Sequence, residues 1–150
     1  MKQLPVDFHD QPLSRAWQAQ WIGPEEEGPH GTRTLFRKEF HLAAPARARL
    51  FISAERDYQL FVNGRFVHRG PPPSPYYYKF YDDVDLSDHL TAGVNCIAVL
   101  VSQIGAPLAG LLAELMTPGD EILLCTDDQW RVTSKTGWSV PDSPSGGEND

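Results

Sequence analysis

The residues best equipped for recognition chemistry lie in one run, Gly70-Pro71-Pro72-Pro73-Ser74-Pro75-Tyr76-Tyr77-Tyr78-Lys79-Phe80-Tyr81. Its prolines make a stiff, extended, polyproline-like connection. The tyrosines that follow offer flat ring faces. Such faces stack on the apolar C–H faces of sugar rings while nearby amides and acids bond the hydroxyls. Tyr76, Tyr77 and Tyr78, with Asn63 as a neighbouring polar group, are therefore the candidate carbohydrate contacts. The competing use of the same residues is packing. Tyr76, Tyr78 and Phe80 then alternate inward as core, with Tyr77 and Tyr81 at the rim, which is the commoner fate of aromatic strands. A proline-rich ligand for an SH3-like partner is a third use, disfavoured by the strands that flank the run closely.

A second group is acidic. Asp82, Asp83 and Asp85, followed by Asp88, are candidate metal ligands, because calcium takes about six to eight oxygens and loop aspartates supply them. A structural calcium is the one cofactor this cluster brings into view. The spacing is not that of an EF-hand loop, which needs a glycine at its sixth position. The plainer reading has these carboxylates accepting backbone amides at a strand end and capping the turn at Ser87. A glycosidase pair of carboxylates requires two acids facing each other across a cleft, and spacing alone identifies no such pair. No Gly-x-Ser-x-Gly, His-Glu-x-x-His or phosphate-cradling glycine loop occurs. The five histidines have no ligand spacing. No catalytic residue is assigned.

These side chains must be positioned by strands. Ala46, Ala48, Leu50, Ile52 and Ala54 alternate with Arg47, Arg49, Phe51, Ser53 and Glu55, the period of a half-buried antiparallel strand. Leu35 to Leu42 alternates too, with Phe36, Phe40 and Leu42 on one face. Lys38 interrupts that face and predicts a position near an edge or a domain contact. Asn63-Gly64 between Tyr58–Val62 and Arg65–His68 predicts a type I′ hairpin. Val94 to Val101 is apolar on both faces apart from Asn95, which predicts a central strand covered on both sides. A second hairpin is expected around Thr117-Pro118-Gly119-Asp120. Only Ser87 to Leu90 reads as helical, one turn capped by Ser87 and ended by Gly93. Seven to nine short strands of this kind predict an all-β fold, an antiparallel β-sandwich of jelly-roll type, over residues 16–140. Residues 1–15 form an N-terminal extension, and the Pro/Gly/Ser-rich residues 141–150 a polar loop or linker.

Composition agrees. The chain has 150 residues, 41% of them hydrophobic and 22% charged, enough for one core. Its 13 prolines and 12 glycines argue against a helical bundle. A net charge of -7 argues against a nucleic-acid partner. No run approaches the ~20 apolar residues of a membrane helix. The N-terminus lacks the apolar region of a secretory signal, so the cytoplasm is expected. Cys96 and Cys125 sit in apolar runs and read as buried free thiols in a reducing compartment.

Taken in order, several segments carry a family resemblance: Ala19-Gln20-Trp21-Ile22-Gly23, Phe36-Arg37-Lys38-Glu39-Phe40, Tyr58 to Val67, Gly70-Pro71, Tyr81-Asp82-Asp83-Val84-Asp85-Leu86, His89-Leu90, Gly93-Val94-Asn95, Ile97-Ala98-Val99 and Thr126-Asp127-Asp128-Gln129-Trp130. The set resembles the N-terminal β-sandwich of bacterial α-L-rhamnosidases and, more broadly, the galactose-binding-like jelly-roll domains of glycoside hydrolases. The resemblance covers about residues 16–138. It implies a non-catalytic accessory domain that packs on a downstream catalytic domain of the same polypeptide, with carbohydrate contact and a homodimer as further expectations. It also implies that the chain is a fragment of a longer enzyme, because the acid and base of such enzymes sit in a downstream α/α-barrel with no counterpart here. A stand-alone carbohydrate-binding module, recognising sugars through the tyrosine-rich segment, is the alternative.

Overall fold

A computed structural model describes residues 2–3, 17–25, 33–71, 81–102 and 110–134. Tyr76, Tyr77 and Tyr78 lie outside the described residues, as does most of the stretch assigned above to the N-terminal extension and all of the C-terminal loop.

Two antiparallel sheets face each other. The first contains β1 (Lys2–Gln3), β2 (Ile22–Gly23), β9 (Leu111–Met116), β4 (Arg49–Ala54) and β7 (Asp82–Asp85) in that order, with β10 (Ile122–Cys125) also pairing β9. The second runs β11 (Arg131–Thr133), β3 (Arg33–Leu42), β8 (Gly93–Ser102), β5 (Tyr58–Val62) and β6 (Arg65–Gly70). The longest ladder joins β3 to β8 from Arg33↔Ser102 to Leu42↔Gly93.

The period-two pattern decides which side chains meet between the sheets. From the first sheet come Ala48, Leu50, Ile52, Ala54, Leu111, Ala113 and Leu115; from the second come Phe36, Leu42, Tyr58, Leu60, Val62, Ile97, Val99 and Val101. These form one cluster, which is what a sandwich of aligned sheets buries. Trp130, just before β11, closes one end and donates its indole N–H to the Cys125 carbonyl at 2.9 Å.

Both turn signals hold. Asn63 and Gly64 have φ of +50° and +81°, the two left-handed residues a type I′ turn requires. The β9–β10 hairpin turns at 117–120, where Asp120 adopts φ of +63°.

Three expectations need correction. β8 is central, but only its Asn95, Ile97, Val99 and Val101 face is in the core; Cys96, Ala98 and Leu100 are half-buried on the outside, and Val94 is 66% exposed. An apolar run that long does not by itself require a cover on both faces. Cys96 and Cys125 are free but half-buried rather than buried, since their positions alternate outward. Ser87 to Leu90 forms a turn at 87–89 and not a helical turn capped by Ser87; Asp85 Oδ1 accepts from the Ser87 amide at 2.9 Å and hydroxyl at 2.6 Å, as the plainer reading of the acidic group expects. Ser87 Oγ in turn accepts the Ala48 amide at 3.2 Å.

Candidate functional site

The described residues that border the tyrosine-rich segment are Gly70 and Pro71 on one side and Tyr81 on the other. The peptide between Gly70 and Pro71 is cis. Gly70 ends β6 opposite Tyr58 on β5, and β7 begins at Asp82 across the sandwich. Here the two sheets are tied by a polar contact. The fully buried Tyr58 donates its hydroxyl to Asp82 Oδ2, and His68 Nε2 lies 3.5 Å from the same oxygen. Burial, then the Asp82 carboxylate, pushes the Tyr58 phenol well above its ordinary range. A glycine is required beside this pair. A Cβ on Gly70 would overlap the Asp82 carboxylate and stand 3.2 Å from the Tyr58 hydroxyl.

The strand pleat separates Asp82 from the other two candidate metal ligands. Asp82 is partly buried and serves Tyr58 and His68. Asp83 and Asp85 point outward: Asp83 Oδ1 accepts from Arg49 Nε at 2.6 Å, and Asp85 accepts the Ser87 amide and hydroxyl. Hydrogen bonds from Ser87 and the charge of Arg49 hold the Asp85 carboxyl below its ordinary range. Among the described residues, no three His, Cys, Asp or Glu side chains come together as a metal site.

Asn63 is held by the scaffold. Its Nδ2 donates to the His89 carbonyl at 2.9 Å and to Asn95 Oδ1 at 3.0 Å, while its Oδ1 accepts the Cys96 amide at 2.8 Å. Asn95, the polar exception in β8, is fully buried and completes the knot by accepting the Thr91 amide at 2.9 Å and donating to the Thr91 carbonyl at 2.8 Å.

Beside Tyr81, the outer face of the first sheet is covered by aromatic rings. Tyr81 meets Trp17 edge-on at 5.6 Å and Phe51 at 6.0 Å between ring centroids. Trp17 and Tyr81 pack with Ala19 around buried Trp21 and Leu112. Below them sits Glu114, 1% exposed, accepting the amides of Gln18 and, at 2.7 Å, Ala19. Neither Glu114 nor the Tyr58–Asp82–His68 group stands out from residue type alone. The available signal for Glu114 is one acid inside Leu111-Leu112-Ala113-Glu114-Leu115-Met116, a position that demands buried partners.

No protein-family model matches the chain, and no curated protein matches it. Solved structures do. The GH78 family rhamnosidase of Bacillus sp. GL1 is 38% identical, with a TM-score of 0.70 over 79% of this chain and 14% of that one. The alpha-L-rhamnosidase from Aspergillus terreus is 26% identical, with a TM-score of 0.67, covering 78% of this chain and 17% of that one. The lectin from Pleurotus ostreatus, solved in complex with GalNAc, is 22% identical at a TM-score of 0.58 over 77% of this chain and 35% of that one, a likeness of fold alone. The resemblance to a rhamnosidase β-sandwich is thus borne out. The chain spans 14% and 17% of the rhamnosidases it matches, the proportion of a domain within a larger polypeptide.

Proposed function

We propose that this β-sandwich is a non-catalytic accessory domain of an α-L-rhamnosidase-like glycoside hydrolase, packed on the catalytic domain of the same polypeptide. One observation carries the reading: 38% identity to a GH78 rhamnosidase over 79% of this chain but only 14% of that one. The described polar groups support it, because their recorded partners are scaffold groups. Asn63, Asn95, Tyr58 and Asp82 bind each other or the backbone, and Glu114 accepts backbone amides. The coding sequence around residues 1–150 tests the proposal. An open frame running on into several hundred further residues is expected. A stop codon directly after Asp150 with no coding sequence upstream overturns it. Hydrolysis of p-nitrophenyl α-L-rhamnoside by the purified 150-residue chain overturns the non-catalytic part.

The second reading is a carbohydrate-binding module. It is favoured by the Trp17, Tyr81 and Phe51 rings gathered where the tyrosine-rich segment rejoins the sandwich. Titration of the chain with L-rhamnose and rhamnose-capped glycans, followed by NMR, tests it. Shifts in the amides around Tyr76, Tyr77 and Tyr78 are its signature, and an unchanged spectrum at millimolar sugar ends it.

A further inference from the structure

We propose that a second site, the pocket between β3 and β11, binds the carboxylate of an acidic saccharide unit. Arg37, Lys38 and Glu39 line it from β3, and Gln129 and Arg131 from the entry to β11. It encloses about 220 Å³. Pockets for drug-sized ligands hold about 300–1,000 Å³, so this one suits a single ring or less.

Charge is the unusual feature. Arg131 stands directly opposite Arg37 across the ladder. Like charges in that relation are destabilising. Lys38, next in sequence, also lines the pocket, but from the other face of β3, the one that carries Phe36 and Phe40. Against these the described lining residues include one acid, Glu39, whose Oε1 is 2.5 Å from Arg37. Among the described lining residues, three cations stand against one anion, on a chain whose net charge is -7. Among the described residues, neither Lys38 nor Arg131 is in an ion pair. A bound anion offsets the repulsion that the register imposes.

The lining also selects the kind of anion. Guanidinium groups present a planar fork that matches a carboxylate with two parallel hydrogen bonds. Gln129 and Glu39 add an amide and a carboxylate, the groups that bind sugar hydroxyls. The described lining residues are all charged or amide side chains with no aromatic ring among them, so the recognition they offer is ionic. The pocket is open because β11 stops pairing at Arg37, leaving the β3 edge from Lys38 onward without a ladder partner among the described residues. The anion preference rests on this geometry. The saccharide preference rests on the glycoside-hydrolase reading above.

Titrating the 150-residue chain with D-glucuronate, D-glucose, acetate and inorganic phosphate, followed by amide NMR shifts, tests the proposal. Glucuronate is expected to bind with a Kd of about 1–10 mM, the range of a few exposed charge-assisted contacts. Its shifts should map to residues 37–39 and 129–131, and D-glucose should give none. Arg131→Ala, on an exposed edge position, should weaken binding about tenfold, and raising the salt to about 1 M should weaken it several-fold. Lys38→Gln serves as the second variant should Arg131→Ala melt early. Equal binding of acetate or phosphate leaves a simple anion site and overturns the saccharide assignment. No shift with glucuronate, an equal response to D-glucose, or an unchanged Kd in both variants overturns the site. None of these outcomes bears on whether the domain belongs to a longer hydrolase, which the coding sequence decides separately.

Discussion

Tyr58 and Gly70 show how one hydrogen bond constrains its neighbours. The Tyr58 hydroxyl is buried against a carboxylate, so removing it leaves Asp82 partly buried with a lost donor. Tyr58→Phe is expected to cost about 1–3 kcal/mol in urea unfolding. The phenol also makes stability depend on alkaline pH. Its folded value stands above its ordinary value of 10.0. The stabilisation is therefore complete below pH 10.0 and lost as pH rises beyond it, because the unfolded chain releases that proton first. Of the five tyrosines, Tyr58 should ionise only as the fold opens, seen as an ultraviolet step coincident with alkaline unfolding and missing in Tyr58→Phe. Ionisation of all five in a chain that stays folded would contradict this. Gly70→Ala drives a methyl group into the same pair, and crowding of this kind costs about 1–3 kcal/mol. A thermal melt indistinguishable from the parent would show that the carboxylate can move aside.

Turns and strands are where sequence and structure agree best, and the reason is local. Asn63-Gly64 predicts its hairpin because the conformation demanded is a property of the two residues themselves. Gly64 has open space where a Cβ would go, so Gly64→Ala measures backbone strain alone, about 1–2 kcal/mol. The alternation through Ala48, Leu50, Ile52 and Ala54 likewise names the buried face before any partner is known. What alternation does not contain is the other face. Leu112, Trp21 and Glu114 are buried by a segment far away in sequence, so only the three-dimensional arrangement explains the acid in β9. The candidate site is less readable for the same reason. Asp82, Asp83 and Asp85 are close in sequence, yet the pleat turns Asp82 to Tyr58 and leaves Asp83 and Asp85 outward beside Arg49. Glu114→Ala tests the packing that sequence missed. Two amides lose their acceptor, so stability should fall by about 1–3 kcal/mol. Hydrogen exchange at Gln18 and Ala19 should speed up at least about tenfold, and unchanged protection there would mean that Glu114 does not hold this segment.

At the scale of the whole molecule, a single core built from both sheets predicts a single transition. Tryptophan fluorescence and far-ultraviolet circular dichroism should give coincident urea midpoints. Separate midpoints would mean that the two sheets open independently. The first sheet is itself closed by contacts that span most of the chain. The Gln20 amide donates to the Thr126 carbonyl at 2.9 Å, and Thr126 Oγ1 donates to the Gln20 carbonyl at 2.6 Å. That pair of bonds has a consequence for synthesis. On the ribosome, residues 17–25 emerge first but find neither Glu114 nor Thr126 until the last part of the domain has followed them. β3 waits for β8 in the same way, so each long ladder closes late and at a high loop entropy. The nascent chain therefore carries unpaired apolar strands for most of its translation, and protease protection should arise in one step only after Thr126 has left the exit tunnel.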